Sequence, residues 1–167
     1  MIDAVADAGP LIHLAELGAL DVLRDFALYV PDAVWEEVAR HQPDVFSFDG
    51  FNFTRVTGPE PSTELRTIAQ ALTLDRGELE ALAFLERMPH AMFLSDDAAA
   101  RLAAEEHGYR VHGTLGLLIR SVRRGHRPAQ EILKLLKDIP KRSTLHLRAD
   151  LLTSIVRQLE SEWQDKA

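Results

Sequence analysis

Short apolar runs alternate along this chain with stretches whose apolar residues recur every three or four positions. Ile2–Ala6 reads as a short buried strand. From Leu11 to Phe26 the spacing is helical, carried by Leu11, Leu14 and Ala15, then Leu20 and Leu23, with Gly18 as the weak point. Ala27–Val30 is a second strand, stopped by Pro31, and Ala33–Arg40 is a short helix. The segment from Gln42 to Ser62 is the loosest. Its prolines and glycines surround one alternating strand, Phe51–Val56. Helical spacing returns over Glu64–Leu72 and Arg76–Arg87. Ala91–Leu94 is a strand, Asp97–His107 a helix ended by Gly108, and Tyr109–His112 a last strand. Leu115–Arg124 is helical and ends at Gly125. Two further helices, Ala129–Leu136 and Leu151–Trp163, complete the pattern.

Strands that alternate with helices predict an α/β fold with a mostly parallel sheet covered on both faces. A length of 167 residues suits a single domain over 1–167, with the helices from about residue 129 as an appended part. In such sheets ligands bind beyond the carboxyl ends of the strands. Those ends are therefore where chemistry is sought.

Composition narrows the choice. The chain has no cysteine, which excludes a disulfide framework and a thiolate metal site. It shows no signal peptide and no apolar stretch long enough to span a bilayer, so the expectation is a cytoplasmic protein without a membrane partner. The net charge of −7 is unevenly spread. Residues 1–109 carry 20 Asp and Glu against 7 Lys and Arg; residues 110–167 carry 6 against 12. Acids in one part and bases in the other suit an oxygen-rich cation site beside a surface for phosphates. A solvated basic helix face explains the second part equally well.

Acids fall at three strand-to-helix connections. Asp7 follows the first strand directly. Glu36 and Glu37 lie on the helix after the second, and Asp96 and Asp97 follow Ala91–Leu94. Glu78 opens the helix before that last strand. Clustered carboxylates suit Mg²⁺ or Mn²⁺, hard cations that take oxygen ligands and keep several waters. Local roles compete with this reading. Asp75 and Glu78 have the spacing of a capping box, and Ser95-Asp96-Asp97 reads as a helix start with Ser95 as cap. Asp7 is also a good turn residue. Arg120, Arg123, Arg124 and Arg127 form a basic stripe that could follow a phosphate backbone or simply face solvent. The histidines are scattered and read mostly as surface or packing residues.

Five blocks resemble one known family. They are Asp7-Ala8-Gly9-Pro10-Leu11-Ile12-His13-Leu14, Val30-Pro31-Asp32-Ala33-Val34-Trp35-Glu36-Glu37-Val38, Leu74-Asp75-Arg76-Gly77-Glu78-Leu79-Glu80-Ala81, Leu94-Ser95-Asp96-Asp97-Ala98-Ala99-Ala100-Arg101 and Gly113-Thr114-Leu115-Gly116-Leu117-Leu118. Together and in this order they resemble PIN-domain proteins, in particular the prokaryotic group related to toxin–antitoxin ribonucleases of the VapC type. The resemblance implies a Rossmann-like α/β/α sandwich and an endoribonuclease dependent on Mg²⁺ or Mn²⁺, leaving a 5′-phosphate and a 3′-hydroxyl. It implies Asp7, Glu37, Glu78 and Asp97 as catalytic acids. Glu36 is an alternative register to Glu37, and Asp96 is able to share the metal with Asp7, Glu78 and Asp97. RNA as substrate, an antitoxin as partner and a homodimer follow from the same likeness. Two positions depart from the family pattern. Gly9 stands where relatives often carry a hydroxyl residue, and Thr114 stands where some carry a further acid. These departures keep a second reading open: a PIN-like protein with weak or no catalysis that acts as a protein-binding module.

Overall fold

The structure, a computed structural model, describes residues 1–166. Five strands run in chain order: β1 (Ile2–Ala6), β2 (Phe26–Pro31), β3 (Asn52–Val56), β4 (Met92–Leu94) and β5 (Val111–His112). Eight helices accompany them among the described residues: α1 (Ala8–Glu16), α2 (Asp32–His41), α3 (Thr63–Leu72), α4 (Arg76–Leu85), α5 (Ala98–Glu106), α6 (Thr114–Arg123), α7 (Ala129–Arg142) and α8 (Ala149–Gln164). The sheet order is β3-β2-β1-β4-β5, and every pairing is parallel. This is the α/β architecture that the alternating pattern predicts.

Side chains alternate across the sheet with a period of two, so each strand feeds two cores. Ala4, Ala6, Leu28, Val30, Met92 and Leu94 face a larger core that includes Leu11 and Leu14 of α1 and Leu117 and Leu118 of α6. Val5 and Phe93 face the other, with Ala81, Leu82 and Leu85 of α4 and Ala100, Ala103 and Ala104 of α5. The C-terminal helices also join the larger core. Ile132, Leu133, Leu136 and Ile139 of α7 are buried there, as are Leu152, Val156 and Leu159 of α8.

Several boundaries differ from the periodic reading. The first helix begins at Ala8, because Asp7 caps it, and stops at Glu16. Gly18 then takes a left-handed φ of 64°, which glycine adopts freely, and Leu20–Leu23 forms a separate 3₁₀ turn. The last strand shrinks to two residues. Helix α7 continues beyond Leu136 through Pro140 to Arg142, held by the buried Ile139 one turn on. Tertiary packing there outweighs the backbone hydrogen bond that proline removes.

Phe93 is fully buried at the centre of the smaller core. Phe93→Ala is expected to cost about 3–5 kcal/mol of unfolding free energy, read from urea denaturation. A loss under 1 kcal/mol would contradict the packing described.

Candidate active site

Strand order reverses on either side of β1, so the crevice at the carboxyl ends of β1 and β4 is the topological switch point of the sheet. The ladder continues past β1, with the Asp7 N–H donating to the Leu94 carbonyl at 2.8 Å. The chain then turns into α1. The Asp7 carboxylate accepts from the Ala8 N–H at 2.8 Å and from the Ser95 hydroxyl at 3.0 Å. Ser95 Oγ in turn accepts from the Asp97 N–H at 3.1 Å. Asp97, rather than Ser95 as the sequence suggested, caps α5, accepting from the Ala100 N–H at 2.8 Å. Ser95 is instead the fully buried link between the two acidic loops.

On the neighbouring helices, Asp75 and Glu78 form the expected capping box, with both reciprocal bonds at 2.8 Å. Helix α2 presents Glu37 to the same crevice, while Glu36 points to solvent beside Arg55 at 3.6 Å. Asp7, Glu37, Asp75, Glu78, Asp96 and Asp97 thus line one open cleft of about 290 Å³, with Gly9 and His13 of α1. Ala8 and, in the connection between α7 and α8, Thr144, Leu145 and His146 complete the lining. That connection is held by Glu16, whose carboxylate accepts from the Thr144 N–H at 3.0 Å and its hydroxyl at 2.8 Å.

The acids are electrostatically unequal. Burial pushes the Asp7 carboxyl up to about 7. The Ala8 N–H opposes this, and the carboxylates of Glu78 and Asp75 reinforce it. Burial also lifts Glu78 to about 7, helped by the charges of Asp75, Asp97 and Glu37 against the Asp75 N–H. Asp96 is partly buried, but its donors prevail and hold its carboxyl below the ordinary range. Those donors are the Thr114 N–H at 2.7 Å, the Thr114 hydroxyl at 2.6 Å and His13 Nδ1 at 2.7 Å. Gly113 makes this approach feasible, since a Cβ there would lie 2.7 Å from Asp96 Oδ1 and 2.6 Å from an Arg101 nitrogen.

Among the described residues, no three acidic or histidine side chains stand together as a ready metal cage. The donor chemistry nevertheless fits a hard cation. It consists of carboxylate oxygens without sulfur, and two of the acids are raised by burial and, after it, by neighbouring carboxylates whose repulsion a cation would relieve. A cation that keeps part of its water shell does not need three direct ligands.

The four arginines lie elsewhere, and none lines the cleft. Arg120 and Arg124 reach Asp25 at 3.1 and 3.5 Å, and Arg120 also stacks over Phe26 at 4.8 Å. Asp25 sits at the amino end of the sheet, where its carbonyl accepts from the Ile2 N–H. Arg127 is bound to Asp21 and the Gly18 carbonyl, which leaves Arg123 exposed without an ion pair among the described residues. Arg120 and Arg124 therefore brace α6 against the start of β2. Residues that the sequence did not single out for the site are His13 and the 144–146 connection, and for Ser95 it offered only a capping role. Gly9 and His13, four apart on one face of α1, carried a readable signal. A Cβ on Gly9 would stand 3.4 Å from Asp96 Oδ2, so the imidazole bonds Asp96 immediately beside Gly9.

The fold and the acid-lined switch point together define a PIN-type domain. The chain belongs to the PIN-domain family DUF3368, which it matches over residues 3–161. PIN domains are generally nucleases and typically bind divalent metals. A similar solved structure is a PilT N-terminus domain protein from the hyperthermophilic archaeon Sulfolobus solfataricus P2, with a TM-score of 0.53 and 16% identity. The match covers 72% of this chain and 93% of that one, and shows the shared fold. No curated protein matches the sequence significantly. No helix among the described residues is long and apolar enough to cross a membrane.

The raised carboxyls have a signed effect on stability. Below about pH 3, Asp7 is protonated in the folded chain and mostly so in the unfolded one, and burial costs little. As pH rises toward 7 the unfolded chain ionises first, so folded stability falls. Asp7→Asn keeps an oxygen for the Ala8 N–H and removes the charge. It is expected to be more stable than the parent by about 1–3 kcal/mol at pH 8 in chelator, with the gain vanishing below about pH 3. Superimposable melting curves at pH 8 would refute the burial penalty.

Proposed function

We propose that this protein is a divalent-metal-dependent endoribonuclease whose site is the cleft at the ends of β1 and β4. One observation carries the reading: Asp7, Glu37, Glu78 and Asp97, from four separate segments, line one cleft, and two of them are raised to about 7. Asp7, Glu78 and Asp97 would hold Mg²⁺ or Mn²⁺, in part through water. Asp96 is saturated by its three donors and acts by positioning His13 and the start of α6. When bound, the cation supplies Lewis acidity toward the phosphoryl group and acidifies the attacking water.

The chain's own residues do the rest. Asp7 presents a fixed carboxylate edge, because Ala8 and Ser95 hold both its oxygens. Asp97 Oδ1 is taken by the α5 amide, and Oδ2 has no protein donor among the described residues. Glu37 carries no side-chain hydrogen bond there either, so it is free to orient a water or take up its proton. The open cleft suits a strand passing through rather than an enclosed small molecule.

The same reading includes a toxin role, with an antitoxin protein covering the cleft, and a homodimer. Its support is the family likeness. Gly9 favours the other reading, a PIN-like binding module without catalysis, and the assay below separates the two.

Single-stranded RNA incubated with millimolar Mn²⁺ is expected to be cut by the intact chain, with a 5′-phosphate at each break. Asp7→Asn and Asp97→Asn should each lower the rate by about a hundredfold or more. Mn²⁺ at saturating concentration should raise the melting temperature of the parent by about 5 °C or more, and that of Asp7→Asn far less. Neither cleavage nor a melting shift would favour the binding module.

A further inference from the structure

We propose that Arg101, Arg110 and Arg123, gathered at the free edge of β5, hold the phosphate backbone of the RNA strand where it leaves the acid cleft. This deepens the nuclease reading above, on which the choice of RNA rests. It also replaces the arginine stripe expected from the sequence, in which Arg120, Arg124 and Arg127 are taken by Asp25 and Asp21. Three parts of the fold contribute one cation each. Arg101 comes from α5, Arg110 from the residue before β5, and Arg123 from the last turn of α6. Strand β5 pairs with β4 alone, so its outer side has no neighbour in the sheet.

Two glycines and a histidine bring these residues together. A Cβ on Gly113 would stand 2.6 Å from an Arg101 nitrogen, so Arg101 reaches from α5 to the end of β5. A Cβ on Gly116 would stand 3.0 Å from His112 Nδ1, so the imidazole lies on the first turn of α6. Burial holds His112 below its ordinary range, and the charges of Arg120, Arg101, Arg110 and Arg123 push the same way. Four guanidiniums thus bear on one ring. Arg120 is answered by Asp25 at 3.1 Å. The other three make no ion pair among the described residues, and Arg110 and Arg123 are exposed. Neighbouring carboxylates do not neutralise them. Asp96 is committed to Thr114 and His13, and Glu105, one turn beyond Arg101 in α5, stands without an ion pair there.

The ligand follows from charge and position. Three permanent cations set side by side repel one another, and an extended polyanion relieves that repulsion. The guanidinium fork matches phosphate oxygens and holds a backbone without reading its bases. The acids of the cleft repel a phosphate chain, so a strand that reaches them needs cations close by. The patch supplies them at the right place. An Arg101 nitrogen and Asp96 Oδ1 approach Gly113 together, at 2.6 and 2.7 Å from where its Cβ would stand, so the patch begins where the cleft wall ends. Continuity with a cleft built to hold a cation against a phosphodiester favours the substrate strand over an acidic protein segment.

The test measures binding of a short, fluorescently labelled single-stranded RNA to the intact chain in chelator, where nothing is cut, over a range of salt. The combined variant Arg101→Gln, Arg110→Gln, Arg123→Gln is expected to bind about a hundredfold more weakly at low salt. Its plot of log affinity against log salt should be shallower by about 2, the sum for three lost phosphate contacts on a single strand. A matched variant, Arg87→Gln, Lys134→Gln, Arg157→Gln, removes three exposed cations away from β5 and should lose less than about threefold. If the first variant melts early, Arg110→Gln with Arg123→Gln, both at exposed positions, should still lower the slope by about 1.4. With Mn²⁺, the patch variant should raise KM and leave kcat within about twofold. The proposal is overturned if the patch variant binds RNA no more weakly than the matched one. It is also overturned if a polyglutamate peptide of equal charge displaces the RNA as well as unlabelled RNA does, which would mark a site for an acidic protein. Cleavage with a KM indifferent to the patch removes this inference and spares the nuclease reading. Binding through these arginines without any cleavage removes the nuclease reading and leaves the patch as an RNA-binding surface.

Discussion

Where β1 ends, the Asp7 amide makes one more rung with Leu94, and the Ser95 hydroxyl then donates to the Asp7 carboxylate. This short stretch of β1–β4 pairing holds the cleft together. It fixes two strand-to-helix turns against each other, and each turn carries an acid that caps the helix it starts. The register Ala4–Met92, Val5–Phe93, Ala6–Leu94 leaves no freedom in where those turns meet. A slip by one residue would exchange the two cores and carry Asp7 away from Ser95. The apolar faces of β1 and β4 thus specify the polar crevice above them.

The crevice holds its charges in two ways. Around Asp96 the fold supplies three donors, and the carboxyl stays below its ordinary range. Around Asp7 and Glu78 it supplies fewer donors and more like charges, and both rise to about 7. The helix starts that converge on this edge offer partial positive charge but do not offset burial and crowding. The arrangement sacrifices folding stability at neutral pH yet keeps the acids together, a balance more often found where function, rather than packing, sets the positions of charges.

Much of this was legible in the sequence. Alternation of short apolar runs with helical spacing gave the parallel α/β sheet, and the strand-end rule directed attention to Asp7, Asp96 and Asp97. The capping box at Asp75 and Glu78 was readable from spacing, and both of its bonds form. What spacing cannot carry is orientation and distance. Nothing local distinguishes Glu37 from Glu36, because the choice depends on α2 lying against α4. The arginine stripe was visible, but its ion pairs with Asp21 and Asp25 bridge about a hundred positions along the chain. Asp96 and Asp97 differ only in what surrounds them: Thr114 lies eighteen residues on and His13 eighty-three back.

The Glu16 clasp on Thr144 ties the far third of the polypeptide to the first helix, so the stretch after α7 is architecture of the crevice and not merely a spacer. With Leu145 and Leu147 packed on the larger core, the crevice rim becomes a joint product of both ends of the chain. Shortening the protein at its carboxyl side to the end of α7 would leave the acids in place and strip one bank from the channel they line. Minimal fragments of this protein should therefore not be cut at the last strand, even though every acid in the crevice precedes it.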